Sequence, residues 1–526
     1  MLNQQIRIAL FAVSILVCNS VNAQSIQSEL ENAIKTTHPE KVDLFDDELT
    51  DGNEVLAVNY SELSTLIESD DRLIQLSIPC KTGVFELTMM RYEISGHIDK
   101  KGIYDGEVYT EMPTEKSIHY RGVVAGNETA WVSFSFSKNR LKGLIATNDG
   151  NWIIDKKKGT EDYVIYLDSE HPGRNMTCET ADFGELPELN TSAQQQKKQS
   201  CPITLFWLAD YDFYYLHGND YNACLFDLDA IFNSVAALYQ QEGISMNLGS
   251  RYAYTGPDPY NSADIFGTWV QFGSNIHQDL NFLGHDLAML INVDQVNGPA
   301  GYAVIDALCD NSFYFDQFNP NNTQGRFAAT RIEYYYYNYP TYSSTVEVIS
   351  HELGHNLSSR HTHWCGWPGG AIDGCAAVEP NNSGVGCTQP PPAPTNSASL
   401  MSYCSLYYGL GSVPLTNGFG FYPNQAISSA VSFYDACICS GLSTENPIEA
   451  QFQLEIIPNP SDGMFSVSNN GTDLELEQIA IYDMAGGLQK RFENGTEFDC
   501  SDLNSGVYLV SGIYKTNVFT LRLLID

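Results

Sequence analysis

The sequence HELGHNLSSRH at residues 351–361 is the most specific pattern in this chain of 526 residues. In an α-helix, positions four apart lie on one face, so His351 and His355 can turn both imidazoles toward a single ion. Neutral imidazole nitrogen is a good ligand for zinc, and Glu352 can point toward a zinc-bound water instead of the metal. The stretch therefore predicts a helix over residues 345–357 that carries two ligands of a zinc site.

A third protein ligand is needed if the fourth position is to stay open for water. His361 follows His355 by six residues, and Ser358-Ser359-Arg360 is a weak helix-stop sequence that lets the chain turn back. His363 is an alternative third ligand, but the spacing selects His361 and leaves His363 beside the site or at the surface. Three further histidines lack ligand spacing and are predicted to be structural or exposed: His217, His277 and His285.

With SLMSYC at residues 399–404, the pattern resembles the metzincin peptidases, whose motif is His-Glu-x-x-His-x-x-Gly-x-x-His followed by a tight turn that contains Met. The resemblance implies one catalytic zinc ion on the three histidines, Glu352 as general base, and Met401 beneath the metal. Taken alone, Met401 would be an ordinary core residue. Tyr403 is either an extra ligand or transition-state donor, or a packed tyrosine.

Other stretches resemble the adamalysin (reprolysin) branch, among them ADYDFY at residues 209–214 and GPAGYA from residue 298. The resemblance covers about residues 201–440. It implies an α/β (α+β) catalytic domain with a mixed sheet and an active-site helix. Two positions depart from the family pattern: Ser358 replaces its glycine, and Thr362 follows the third histidine where adamalysins carry Asp.

The chain is too long for one compact domain, and we expect four segments. Residues 1–23 resemble a signal peptide, with Arg7 followed by an apolar run too short to span a bilayer. Residues 24–198 are predicted to be β-rich, residues 199–443 form the catalytic domain, and residues 450–526 form a small β-sandwich. Within the catalytic domain we expect a further helix at 225–241 and four strands, at 203–210, 244–254, 286–293 and 298–304.

Residues 24–198 are interpreted as a propeptide. Cys178 could occupy the open zinc position and exclude water, or it could form a disulfide with Cys80. Lys197 and Lys198 are the predicted processing site. Residues 201–450 contain no lysine, so a lysine-directed protease that cuts at this site would leave the enzyme intact.

Nine of the 13 cysteines lie between Cys201 and Cys439, which in an exported chain predicts disulfides. The formal net charge is −37, so we expect no binding to nucleic acid. No stretch after the signal peptide is long and apolar enough to predict a membrane span. The acidic residues form either a solvated surface or a negative cleft that prefers basic substrates.

Residues 459–526 resemble the C-terminal sorting domain of type IX secretion in Bacteroidetes, on the pieces NPSDGMFSV, IYDMAGG and LNSGVYLV. The resemblance implies contact with the secretion machinery and a secreted or cell-surface location. The alternative is a carbohydrate- or protein-binding β-sandwich.

Together these features predict a secreted zinc-dependent endopeptidase that acts on proteins or peptides and is made as a zymogen. The main alternative is a secreted binding or adhesion protein with a structural or degenerate zinc site. A structural calcium ion is compatible with the sequence but not indicated by it.

Overall fold

The computed structural model describes residues 24–46, 48–50, 54–171, 177–187, 189, 199, 201–260, 264–277, 279, 282, 284–293, 298–310, 312–315, 323–409, 413–440, 454–469, 471–483, 488–514 and 517–525. The predicted signal peptide and the predicted processing site, Lys197 and Lys198, lie outside these ranges. The described residues form two compact units. The larger contains those up to Leu308 and from Tyr314 to Tyr434, and the smaller contains Cys309–Phe313 and those from Asp435 onward.

The N-terminal segment, residues 24–187, is dominated by one sheet of nine strands in the order β1-β3-β4-β7-β8-β9-β10-β11-β2. All its pairings are antiparallel except that of β1 with β3. The elements of this segment are α1 (Gln24–Ile34), β1 (Glu40–Val42), β2 (Val55–Leu56), α2 (Tyr60–Glu68), β3 (Leu73–Cys80), β4 (Gly83–Tyr92), β5 (Lys100–Tyr104), β6 (Tyr109–Glu111), β7 (Ser117–Val124), β8 (Asn127–Ser137), β9 (Arg140–Thr147), β10 (Gly150–Lys156) and β11 (Tyr163–Leu167), followed by a 3-10 helix (Asp168–Glu170).

Strand β8 shows how this sheet is buried on both faces. Because successive side chains of a strand point to opposite faces, Val132 and Phe134 enter the hydrophobic core on one side while Ser133 points to the other. There the Ser133 hydroxyl lies 2.6 Å from the hydroxyl of Ser234, on a helix of the central segment. Small serines on this face let the helix approach closely.

The central segment, residues 201–434, contains the second sheet, whose order is β15-β16-β14-β12-β13-β5-β6. Strands β5 and β6 come from the N-terminal segment, and β5 pairs in parallel with β13. The elements that begin here are β12 (Ile203–Ala209), α3 (Tyr211–Leu216), α4 (Tyr221–Gln241), β13 (Met246–Tyr254), α5 (Ile265–Ile276), β14 (Leu287–Val293), β15 (Gly301–Ala303), β16 (Phe327–Ile332), β17 (Tyr335–Tyr336), β18 (Tyr339–Pro340), α6 (Tyr342–Asn356), α7 (Cys404–Tyr408), a 3-10 helix (Leu415–Asn417) and α8 (Phe421–Ser440).

Helix α4 lies between the two sheets, and this position explains why it is buried nearly all round. Its polar side chains are satisfied by the N-terminal segment: Arg121 donates from Nε to Asn233 at 2.9 Å, and Lys142 lies 3.0 Å from the carboxylate of Asp227. Lys142 is also paired with Asp155, so the buried ammonium is compensated. The N-terminal and central segments therefore share one interior.

The sequence predicts a multidomain α/β chain with a mixed sheet, and the structure confirms this organisation. The helices and strands expected in the central segment are present, with ends that differ by a few residues from the predicted ones. Strands β5 and β6 extend one edge of the central sheet. The sequence does not predict this pairing, because a period-2 pattern does not identify a strand's partner.

The smaller unit contains two four-stranded sheets that share one hydrophobic cluster, in which Phe465 packs with Ile481 and Val510. One sheet joins β19, β20, β21 and β24, and the other has the order β23-β22-β25-β26. The strands are β19 (Leu454–Ile457), β20 (Met464–Asn469), β21 (Thr472–Asp473), β22 (Leu476–Asp483), β23 (Leu488–Gly495), β24 (Phe498–Asp499), β25 (Gly506–Tyr514) and β26 (Asn517–Ile525).

The expectation of disulfides is confirmed by the pairs Cys309–Cys437, Cys365–Cys387 and Cys375–Cys404. Cys201 and Cys439 each take part in a disulfide as well. Among the helices of the described residues, none combines the length and the apolar character that crossing a membrane requires.

Candidate metal centre

Helix α6 holds the first two predicted ligands at its buried C-terminal end. His351 and His355 are one turn apart, and their Nε2 atoms lie 3.2 Å from each other. Both rings are almost fully buried among residues of the larger unit. Burial lowers the pKa of His351 to about 4, so the neutral imidazole that a metal requires is the favoured form.

The chain reverses directly after α6, and Ser358 makes the reversal. This residue has a φ of 79°, in the left-handed region that favours glycine. Its amide donates to the carbonyl of His355 at 2.9 Å, and the Ser359 amide donates to Gly354 at 2.9 Å. The turn brings Nε2 of His361 to 3.2 Å from Nε2 of His355. The three predicted imidazoles therefore converge, although serine replaces the family glycine at the turn.

The second nitrogen of each imidazole faces a hydrogen-bond acceptor. Nδ1 of His351 lies 2.7 Å from the Leu400 carbonyl, and Nδ1 of His355 lies 2.9 Å from that of Ser359. Nδ1 of His361 lies 3.1 Å from the carboxylate of Asp182. Each Nδ1 therefore carries the proton, which leaves the three Nε2 lone pairs free to bind a cation.

These distances fit a zinc ion. Nitrogens bound at about 2.0–2.1 Å in tetrahedral geometry lie about 3.3 Å apart, close to the separations between the imidazoles. A thiolate at about 2.3 Å would lie about 3.5 Å from such a nitrogen. Sγ of Cys178 is 3.6 Å from Nε2 of His355, and the four side chains form one cluster with metal-ligand spacing. The donor set therefore suits a site of three imidazoles and one thiolate.

Cys178 is held here by its main chain. Residues 177–180 run parallel to strand β15: the Glu179 amide donates to the Gly301 carbonyl at 3.0 Å, and the Ala300 amide donates to Thr177 at 2.6 Å. The alternative disulfide is absent, because Cys178 and Cys80 are both free thiols. The N-terminal segment thus occupies the edge of the sheet that borders the three histidines.

Tyr403 also contacts this strand. Its hydroxyl donates to the Cys178 carbonyl at 2.8 Å, accepts from the Cys178 amide at 3.0 Å, and lies 3.2 Å from Nε2 of His361. The hydroxyl lies next to the cluster, and both roles that the sequence left open for Tyr403 stay predictions.

Glu352 lies between α6 and the edge strand. A side chain added at Gly301 would overlap its carboxylate, so the glycine provides the space for Glu352. Burial raises the pKa of Glu352 to about 8. Oε2 of Glu352 is 3.5 Å from Sγ of Cys178, which places the carboxylate next to the fourth position of the cluster.

Met401 is fully buried and packs against α6. Its sulfur packs close to Gly354, where an added Cβ would be 3.0 Å away. The turn that contains it is closed by the Ser402 amide, which donates to Ser399 at 3.0 Å. The same turn carries the Leu400 carbonyl that orients His351, so it fixes the ring as well as filling the space below it.

The sequence analysis did not identify Asp182 or Glu379. Asp182 is buried and accepts from the His361 amide at 3.1 Å in addition to facing its ring. The Asp182 amide donates to Glu379, whose carboxylate also lies 3.2 Å from Nε2 of His363. Burial, and then the nearby Glu379, raise the pKa of Asp182 well above its usual range. Isolated acidic residues give no sequence signal for such a role.

Of the other histidines that the sequence singled out, one lies beside the site and three have other partners. His363 is buried, and its ring stacks on His361 with 5.0 Å between centroids. His217 lies 2.8 Å from the carboxylate of Asp227, and His277 and His285 bond main-chain carbonyls through Nδ1.

Two family models match parts of this chain. Residues 227–362 match the family described as metallo-peptidase family M12B reprolysin-like, and residues 455–526 match the secretion system C-terminal sorting domain. The human disintegrin and metalloproteinase domain-containing protein 9 is 23% identical over 278 residues, which cover 49% of this chain and 32% of that protein. This chain therefore spans about a third of its human relative. The crystal structure of metalloproteinase-II from Bacteroides fragilis is similar over 58% of this chain and 86% of that chain, with 11% identity and a TM-score of 0.33.

Proposed function

Because the chain carries a reprolysin-like metallopeptidase domain and a type IX sorting domain, we propose that it is a secreted zinc-dependent endopeptidase made as a zymogen. In this proposal residues 1–23 are a signal peptide, residues 24–198 a propeptide, residues 199–443 the catalytic domain, and residues 450–526 the sorting domain. The observation that carries the proposal is the convergence of three Nε2 atoms, with 3.2 Å between neighbours and every Nδ1 turned to an acceptor.

His351, His355 and His361 would hold the zinc ion. When bound, zinc supplies Lewis-acid activation of a water and of the scissile carbonyl. Glu352 is the general base that takes the proton from the attacking water and passes it to the leaving amine. Its carboxylate lies 3.5 Å from Sγ of Cys178, beside the fourth vertex of the cluster, and this position supports the role.

The edge strand Gly301–Ala303 would bind the peptide main chain of the substrate. Residues 177–180 already bond to this edge through their main chain, which supports the proposal. Removal of these residues would free the Tyr403 hydroxyl from Cys178. We propose that Tyr403 then donates a hydrogen bond to the oxygen on which negative charge develops.

Latency would come from Cys178. Its sulfur lies where a fourth ligand belongs and excludes the water on which Glu352 acts. Processing near Lys197 and Lys198 would remove this ligand together with the strand that blocks the sheet edge. The sorting domain supports export to the cell surface or the medium.

The experiment uses the purified processed protein with casein as substrate. We expect activity to disappear with a chelator and to return with zinc. Glu352→Ala should keep one zinc per chain by metal analysis and lose turnover. Full activity in Glu352→Ala would exclude the proposed base, whereas zinc binding without any peptidase activity in the wild type would favour the binding-protein alternative.

Latency has its own test. Cys178→Ser should give activity in the unprocessed chain, because a neutral hydroxyl is a poor zinc ligand at this position. Cys80→Ser is the matched control, since Cys80 is also a free, buried thiol of the N-terminal segment. Equal latency in both variants would show that the thiol is not the inhibitory group.

A further inference from the structure

A small cavity of about 30 Å³ adjoins the candidate metal centre. Helix α6 forms one wall with Glu347 and His351, and the residues after the Met401 turn form another with Ser402 and Ser405. Thr177 and Cys178 of the N-terminal segment also line it, so its mouth would open when that segment leaves. The cavity is therefore placed to receive a substrate side chain next to the reacting peptide bond.

Glu347 is the charged side chain of this wall beyond the catalytic carboxylate, one helical turn before His351. In the part of the chain that the structure describes, it has no hydrogen-bond or ion-pair partner. The charge that acts on it is that of Asp168, which is also acidic. Burial and this neighbour raise the pKa of Glu347 to about 8. A partly buried carboxylate without a cation is costly, which makes it a strong site for a positive ligand.

No lysine or arginine of the central segment pairs with Glu347 among the described residues. It contains no lysine and four arginines, and all four contact groups away from this cavity. Arg251 pairs with Asp229, and Arg326 bonds the His285 carbonyl. Arg331 donates to Thr268 at 3.2 Å, and Arg360 donates to the Phe183 and Glu185 carbonyls. Among the described residues no cation pairs with Glu347, which leaves its carboxylate available to a positively charged ligand.

We propose that Glu347 selects substrates with a lysine or arginine side chain adjacent to the scissile bond. The inference rests on the proposed peptidase function and names its substrate class. The ammonium or guanidinium group would pair with Glu347, and Ser402 and Ser405, which also line the cavity, have hydroxyls that can accept further hydrogen bonds. This assigns the basic preference to one carboxylate in a cavity, and not to the acidic surface as a whole.

The test is cleavage of a peptide library by the processed wild-type protein, read by mass spectrometry on both sides of the cut. We expect one position adjacent to the cut to be enriched in Lys and Arg, with kcat/KM about 10- to 100-fold above that for a neutral residue there. Cleavage without enrichment at either adjacent position overturns the inference and leaves the peptidase function intact. Absence of cleavage in any peptide overturns the peptidase function itself.

Three variants locate the preference. Glu347→Gln should lose the basic preference and still cleave peptides with neutral residues, while Glu347→Asp should retain the preference. Asp286→Asn removes the same charge from a buried carboxylate that bonds the Thr204 amide, and it should leave the preference unchanged. An undiminished preference in Glu347→Gln, or an equal loss in Asp286→Asn, would assign the selectivity to the overall negative field and refute the role of Glu347.

Discussion

The N-terminal segment supplies the acceptor for one proposed zinc ligand, and this contact predicts that Asp182→Asn weakens zinc binding by the zymogen. The Asp182 carboxylate faces Nδ1 of His361 at 3.1 Å and also accepts the His361 amide through both oxygens, at 3.1 and 3.2 Å. Asparagine keeps a single acceptor oxygen and no charge. It therefore cannot hold both the ring and the main chain as the carboxylate does.

The expected magnitude follows from the chemistry of the contact. A carboxylate bonded to the outer nitrogen of a metal-bound histidine fixes the ring and increases its basicity, and loss of such a partner lowers metal affinity about 10- to 100-fold. This corresponds to about 1.4–2.7 kcal/mol. The other two histidines use main-chain carbonyls, of Leu400 and Ser359, so the mutation acts on one ligand of three.

The assay is competition for zinc between the full-length chain and a chromophoric chelator. Glu185→Gln is the matched control, because Glu185 lies in the same stretch and contributes a backbone carbonyl to Arg360. The decrease for Asp182→Asn should persist in a Cys178→Ser background, since it does not act through the thiol. A folded Asp182→Asn zymogen that binds zinc within about twofold of the wild type would refute this reasoning.

Three further predictions concern stability and processing. Burial raises the pKa of Glu242 to about 7, so the folded state keeps the proton on this carboxyl between about pH 4.5 and 7, where the unfolded chain loses it. The free energy of unfolding should therefore fall as pH rises through this window, by about 3 kcal/mol at most. Glu242→Gln should remove that fall in urea unfolding measured at pH 5 and 8. Ser358→Gly should stabilise the larger unit by about 0.5–1 kcal/mol because glycine adopts the positive φ of this position without strain. Ser359 has no positive φ, so the control variant Ser359→Gly should not raise the melting temperature. If the enzyme prefers basic residues, a trace of active protein should cut the inactive Glu352→Ala zymogen at Lys197 or Lys198, seen as a new N-terminus by mass spectrometry; an intact zymogen after prolonged incubation would contradict this.

Much of the proposed centre follows from local rules. The spacing of His351, Glu352 and His355 fixes their faces on one helix, and the six residues to His361 allow a single reversal. These relations hold within eleven residues, where helix geometry alone determines which side chains meet. The reversal also occurs at Ser358, which shows that the turn depends on the surrounding contacts and tolerates the lost glycine.

The missing parts depend on contacts between distant segments. Asp182 meets His361 across 179 residues, and nothing in its neighbours distinguishes it from a surface acid. Likewise, the alternation in β8 predicts a strand with one apolar face but does not say that helix α4 covers its serine face. Periodicity specifies which side of an element is buried, whereas the identity of the covering element emerges only when the whole unit assembles.

Strands β5 and β6 of the N-terminal segment belong to the central sheet, and this affects the result of a cut near residue 198. Strand β5 would stay hydrogen-bonded to β13, and Lys142 would stay beneath α4 against Asp227, because none of these contacts depends on the peptide link. The nicked molecule would be a heterodimer of enzyme and inhibitor. The enzyme would become active only when the cut N-terminal segment dissociates or is destroyed. Dilution favours that dissociation, so dilution would start proteolysis and the cut alone would not.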